Sequence, residues 1–360
     1  MLHFMETDRF FVAQSAVHIL KLEAQILEIQ NSLSTLREAK SLAEQRLRSY
    51  IYPILSLPIE ITTEIFLYSL PPYPDPAPLS GRHSPTRLSH VCRHWRAIAL
   101  RTPQLWRAMK IFGDTLQEVK KAGVLAPLWL ARSGHQPLSL DTVDSLNPPL
   151  SSALLEHRER WEHLALSRRG WHLLKAAGFM PMLHSLKLRY LGSPSLKSSR
   201  NVPRLRTVLL DACMVENLPW SQLTSLTLRF RATEECRSIL RQTAQLVDCS
   251  LYPWDRDVPR SDTADVMLLC LERLTLEPGG HFDDDFVSSL VTPSLVKLEL
   301  SEIILSVRYP GPIGWLKTFV AKSGCTLQEL HIRQSVLPAH AYHDAFPRIP
   351  MIAVEPRGSR

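Results

Sequence analysis

Hydrophobic and polar positions along this chain follow three successive rhythms, and each predicts a different kind of element. From Ile19 the apolar residues recur on a seven-residue repeat. One seam position carries Ile19, Ile26, Leu33, Lys40 and Leu47, and the other carries Leu22, Ile29, Leu36, Ala43 and Tyr50. Spacing of three and four sustained over four heptads predicts a long amphipathic helix within residues 1–50 that can supercoil with a partner helix. Glu23, Arg37, Glu44 and Arg46 occupy the flanking positions where coiled coils place charge. Leu20 and Leu27 widen the stripe, so the same pattern also fits a helix packed on its own chain. Pro53 stops it.

The second rhythm covers residues 51–112. Pro58 stands at the first turn of a helix, where its missing N–H costs nothing. Ile61, Ile65 and Phe66 then share one face, and Glu60 and Glu64 lie in the early turns, where acids favour the helix dipole. Residues 71–86 hold six prolines and Gly81, which predicts a loop. A second helix is expected over 87–100, with Leu88, Val91, Cys92, Trp95 and Ile98 on its apolar face, and Pro103-Gln-Leu-Trp106 closes the segment.

Leu57-Pro58-x-Glu60-Ile61-x-x-Glu64-Ile65-Phe66, with Leu88-x-x-Val91-Cys92-Arg93-x-Trp95-Arg96 and Pro103-x-Leu105-Trp106, resembles the F-box. More narrowly it resembles the large fungal group in which a heptad helix runs straight into Tyr52-Pro-Ile-Leu-x-Leu-Pro58. The Pro-rich insertion at 71–86 departs from the usual pattern. The resemblance implies a small α-helical unit that binds the Skp-type adaptor of cullin-based ubiquitin ligases. Leu57, Pro58, Glu60, Ile61, Ile65 and Phe66, with Val91, Cys92 and Trp95, would supply the docking surface and its support. A unit of this size buries little core alone, and an apolar helix face left over in it is a candidate interface.

The third rhythm is Leu-x-x-Leu-x-Leu. It begins at Trp161, Leu183, Leu205, Leu223, Leu246, Leu271, Leu295 and Leu327, at separations of 22, 22, 18, 23, 25, 24 and 32 residues. That period is characteristic of leucine-rich repeats, in which a short strand per repeat buries its apolar residues only when neighbours stack. A solenoid over 113–345 is expected, followed by a tail at 346–360. The Asn or Cys that completes such repeats is present once, as Cys213, so the solenoid should be irregular. Residues 126–140 should add a capping helix and one more strand. Lys187, Arg189, Asp211, Thr227, Arg229, Tyr252, Glu277, Glu299, His331 and Arg333 fall between or just after the leucines, on the face expected to be concave. That face could hold a protein ligand or be ordinary solvated sheet. The fold class is therefore α+β and multidomain: a coiled-coil-like helix, a small F-box and an irregular α/β solenoid.

Composition changes this picture little. The 360 residues are 45% apolar and 21% charged, ordinary for a globular chain. No apolar run reaches the ~18–20 residues of a membrane span, and no secretory signal is read, so a cytoplasmic or nuclear protein is expected. Six cysteines stand singly without a CxxC, which points to reduced thiols rather than metal or disulfides. Of the net charge of +7, residues 158–206 carry eleven Lys or Arg against Glu159 and Glu162, a local +9. Such a stretch suits an acidic partner, nucleic acid or plain solubility. The nucleophile elbow, phosphate loop, dinucleotide fingerprint and zinc-protease helix are all missing. Phe282-Asp-Asp-Asp-Phe286 reads as a helix N-terminus. The expectation is a non-enzymatic adaptor without cofactor, joining a protein substrate held by Lys187, Arg189, Arg229, Tyr252, Glu277, Glu299 and Arg333 to a Skp/cullin ligase. Self-association through residues 19–50 is a further expectation. The alternative is a scaffold or regulatory protein outside the ligase, whose repeats bind a partner or whose basic stretch binds nucleic acid.

Overall fold

The computed structural model describes residues 2–49, 53–112, 115–142, 146–167, 170–189, 196–197, 202–213, 215–254, 264–278, 284–305 and 311–358. They divide into two compact units, Met1–Thr62 and Thr63–Arg360.

The first unit is dominated by α1 (Leu2–Ser49), an unbroken helix of 48 residues. Its sequence holds neither proline nor glycine and is rich in Leu, Ala, Glu, Gln and Arg, all strong helix formers. Lys40 and Glu44 pair one turn apart at 3.9 Å. The seam residues Ile19, Ile26, Ile29, Leu33 and Leu36 are exposed. Tyr50, the last seam position, lies outside the described residues. A 3-10 turn over Pro53–Ser56 leads to α2 (Ile59–Tyr68), which runs through the division between the units. The Thr62 amide donates to the Pro58 carbonyl at 3.0 Å, so Pro58 caps α2 and does not stand inside its first turn.

In the second unit the chain lays down strands in order: β1 (Ala77–Pro78), β2 (Ala108–Ile111), β3 (Leu138–Thr142), β4 (Trp161–Leu166), β5 (Ser185–Arg189), β6 (Leu196–Lys197), β7 (Thr207–Asp211) and β8 (Val215–Glu216). It continues with β9 (Ser225–Arg231), β10 (Asp248–Pro253), β11 (Val266–Met267), β12 (Arg273–Leu276), β13 (Leu290–Val291), β14 (Lys297–Ser301), β15 (Glu329–Ser335) and β16 (Met351–Pro356). All except β6, β8, β11 and β13 form one twelve-stranded sheet, entirely parallel and ordered as the chain runs. The other four make two minor two-stranded ladders, β6 with β8 and β11 with β13.

Register explains why the sheet forms. The fourth position of each Leu-x-x-Leu-x-Leu aligns across the strands as Leu164, Leu186, Val208, Leu226, Cys249, Leu274, Leu298 and Leu330. The sixth aligns as Leu166, Leu188, Leu210, Leu228, Leu251, Leu276, Leu300 and Ile332. Both rows are buried along these strands, as is the first position of every occurrence. Slipping one strand by a residue would carry its leucines to the opposite face, so the pattern itself fixes the register. The returns between strands are uneven. Helices α5 (Leu116–Arg132), α6 (Pro148–Glu156), α7 (Trp171–Ala177), α8 (Thr233–Leu240), α9 (Asp284–Ser288), α10 (Pro312–Ser323) and α11 (Ala339–Ala345) range from 5 to 17 residues. Each buries part of its apolar surface in the same continuous core as the strands.

Four further expectations change. The Pro-rich insertion is not loop throughout, because β1 lies within it and pairs with β2 at the edge of the sheet. Ser139 Oγ also donates to the Pro74 carbonyl at 2.6 Å. The expected helix over 87–100 is two, α3 (Pro85–Leu88) and α4 (Arg93–Leu100). Cys92 caps α4, its Sγ accepting the Trp95 amide at 3.4 Å. The segment expected to be a tail carries β16, the last strand of the sheet. Asp211, expected on the open face, is buried.

Candidate functional site

Two groups of residues stand out: the segment around α2 to α4, and the polar face of the sheet. On α2, Ile61, Ile65 and Tyr68 lie at helical spacing and are exposed, whereas Thr62 and Phe66 are buried. In the first unit Leu57 is half-buried, and Pro58 and Glu60 are exposed. In the second unit Phe66 packs edge-on against Trp95, ring centroids 4.9 Å apart at 61°. Trp106 is fully buried beneath this region, its indole N–H donating to the Ala99 carbonyl at 2.8 Å. The Arg132 guanidinium covers the Trp106 ring at 4.5 Å. Phe66 therefore supports the surface from within, while Ile65 and Val91 (58% exposed) present apolar atoms to solvent. Cys92 is half-buried and serves the backbone of α4 as its cap.

On the sheet, residues between and just after the leucine rows form a chemically mixed face. Arg189, Asp211 and Arg229 align in register across β5, β7 and β9. Arg189 also lies 3.5 Å from Asp141 of β3. Burial raises the Asp211 carboxyl above its ordinary range, with Arg229 and Arg189 opposing that rise. The Arg229 guanidinium sits 4.6 Å over the Tyr252 ring. Farther along, Arg333 bridges Glu277, at 2.7 Å, and Glu299. Lys187 is exposed between Leu186 and Leu188 and has no ion-pair partner among the described residues. The strands thus bring together Arg189 with Asp141, Arg229 with Tyr252, and Arg333 with Glu277 and Glu299.

Sequence reasoning missed part of this face. Tyr73 of the insertion donates to Glu162, sits under the Arg107 guanidinium at 3.8 Å and meets the His163 ring edge-on at 5.5 Å. Burial and the Glu162 hydrogen bond hold the Tyr73 phenol protonated far above its usual range. Burial also lowers the His163 imidazole, with Glu162 opposing and His184, Lys187 and Arg107 adding to the effect. A hollow of about 280 Å³ opens here, lined among others by Asp75, Lys110, Asp141, His163, Lys187 and Arg189. Tyr73 carried no sequence signal because its partners lie far along the chain.

The basic stretch 158–206 is only partly described: residues 168–169, 190–195 and 198–201 lie outside the described residues. Within it Arg160 donates to Ser133 Oγ and the Gln136 carbonyl, at 2.6 and 2.8 Å, and Arg189 faces Asp141. Some of its charge is therefore committed to the fold. Of the acidic run 282–286, α9 begins at Asp284, and residues 282–283 lie outside the described residues.

Among the described residues no group of three or more His, Cys, Asp or Glu is placed to hold a metal ion. No helix among them is long and apolar enough to cross a membrane. Among the described residues Cys92, Cys213, Cys236, Cys249, Cys270 and Cys325 form no disulfide. Cys213 donates to the Leu188 carbonyl across the strands, a sulfur contact of 3.8 Å, and burial pushes its thiol up to about 11.

Comparison with known families gives one match: residues 54–111 fit the F-box-like family. The matched segment includes the Pro-rich insertion and ends at the last residue of β2. No curated protein matches the chain. The chain carries an F-box-like domain over 54–111, and the parallel sheet whose first two strands lie in that segment continues C-terminal to it.

Proposed function

We propose that this chain is a substrate-recognition adaptor of a Skp/cullin ubiquitin ligase. The observation that carries the reading is the F-box-like match at 54–111, in which α2 exposes Ile61 and Ile65. An F-box of this kind binds a Skp-type adaptor. Leu57, Pro58, Glu60 and Ile61 of the first unit, and Ile65 and Val91 of the second, are the adaptor-contacting residues, and Phe66, Cys92 and Trp95 support those of the second unit. The run from a heptad helix into Tyr52-Pro-Ile-Leu-x-Leu-Pro58 supports kinship with the fungal F-box group.

The sheet is the substrate-binding module, read as an irregular leucine-rich-repeat solenoid. Its sequential parallel order and the two continuous leucine rows support that reading. Lys187, Arg189, Arg229, Tyr252, Glu277, Glu299 and Arg333 form the contact face, with the hollow beside Tyr73 at its β5 end. The protein does no chemistry itself, works in the cytoplasm or nucleus, and leaves ubiquitin transfer to the ligase core. The exposed seam of α1 supports self-association as a coiled coil.

Affinity purification of the full chain followed by mass spectrometry tests this. The wild type should carry the Skp-type adaptor and a cullin. Ile61→Asp should lose both, while Lys187→Glu should keep both and lose a captured substrate. Recovery of partners without adaptor or cullin would instead favour a scaffold outside the ligase.

A further inference from the structure

We propose that the second unit carries a separate binding site for a small molecule bearing several phosphate groups, in a cavity of about 800 Å³ walled by the Pro-rich insertion, α3 and α5. Arg82 comes from the insertion, Arg87 from α3, His90 from the turn that follows, and Lys120 and Lys121 from α5. The remaining lining, Ser80, Gly81, Thr86, Gln117, Val124 and Leu125, contains no acid. None of the five basic side chains has an ion-pair partner among the described residues. The nearest acid in sequence, Glu118, is occupied: its carboxylate accepts the Thr115 amide at 3.2 Å in the cap of α5.

Four permanently charged side chains and a histidine, all exposed around one volume, repel one another, and a multivalent anion among them relieves that repulsion. Arginine and lysine are also the side chains that recognise phosphate, through forked and point-charge contacts respectively. The volume falls within the range of small-molecule sites, about 300–1,000 Å³. The groups surround a hollow from three elements, whereas contact with a nucleic-acid backbone would favour a stripe. Val124, 65% exposed, and half-buried Leu125 give the cavity an apolar wall beside its charges. An occupant would bridge the insertion to α5 and quiet both segments.

Titration of the full chain with inorganic tripolyphosphate, in phosphate-free buffer, tests the site. Saturable binding with one equivalent is expected, together with slowed amide exchange at residues 80–90 and 117–125. Arg87→Glu with Lys121→Glu should weaken binding at least about tenfold, since charge-assisted hydrogen bonds are lost and replaced by repulsion. Arg204→Glu with Lys317→Glu changes net charge equally at exposed positions elsewhere and should leave binding unchanged. If the first pair unfolds, Arg82→Gln with Lys120→Gln gives the same comparison with smaller perturbation. Absence of saturable binding, or equal weakening in the control pair, overturns the proposal. Tighter binding of duplex DNA that the same cavity substitutions abolish would also overturn it, reassigning the basin to nucleic acid.

Discussion

Adjacent residues on α2 should separate adaptor binding from folding. Ile61 is 50% exposed and Ile65 is 41% exposed, whereas Phe66 is fully buried against Trp95. Burying a whole isoleucine from water is worth about 1.5–3 kcal/mol, so the uncovered part of each offers about 0.6–1.5 kcal/mol to a partner. Aspartate at these positions removes that gain and forces a carboxylate to lose water in an apolar contact, at a cost of about 2 kcal/mol or more. Ile61→Asp with Ile65→Asp should therefore weaken the complex with a Skp-type adaptor by at least about 3 kcal/mol, a factor above about 100 in Kd. Because both side chains already face solvent, unfolding stability should change by no more than about 1 kcal/mol. Phe66→Ala has the opposite signature. It empties a filled site and removes the ring contact with Trp95, so stability should drop by about 3–5 kcal/mol. The assays are calorimetric titration with the purified adaptor and denaturant unfolding of all three proteins. A Kd within about twofold of wild type for the folded double variant would refute the assignment of this face. A stable Phe66→Ala chain would refute the division between interior and surface.

Three further outcomes follow from named contacts. Ile26→Asp with Leu33→Asp places charges in the α1 seam and should convert a self-associated species to monomer by light scattering, whereas equal masses would exclude a coiled coil. Buried Glu302 accepts the Tyr342 hydroxyl at 2.8 Å, the Val336 amide at 3.1 Å and the Ser335 hydroxyl, so Glu302→Ala should cost about 3 kcal/mol or more in denaturant unfolding. Full stability in that variant would show that water replaces the carboxylate. Burial lowers the His163 and His157 imidazoles below the ordinary value, so the folded chain resists protons that the unfolded chain accepts. Stability should be intact above pH 6.5 and decline as pH falls below it, and His163→Asn with His157→Asn should flatten that decline.

How much of the molecule was legible follows from which forces act locally. The leucine pattern announced β4, β5, β7, β9, β10, β12, β14 and β15, because alternation along a strand is a local record of which face is buried. The α2 face was legible for the same reason, at helical period. β1 was hidden because Pro76 and Pro78 read as loop, yet proline is tolerated on an edge strand, and β1 is the edge of the sheet. β16 was hidden because Met351-Ile-Ala-Val-Glu-Pro356 lacks the leucine signature and is specified by pairing with β15. The break between α3 and α4 rests on Cys92 acting as a cap, a role usually taken by Ser, Thr, Asp or Asn. Charges on the sheet were the least legible. Arg189 read as a residue of the open face, but its partner Asp141 is 48 positions earlier and meets it only through stacked strands. The same holds for Tyr73 and Glu162, joined across 89 positions. A repeat sequence thus declares its scaffold early, because every repeat restates the same burial problem. The pairing of charges across repeats is set by register, and register becomes visible only when the strands are laid side by side.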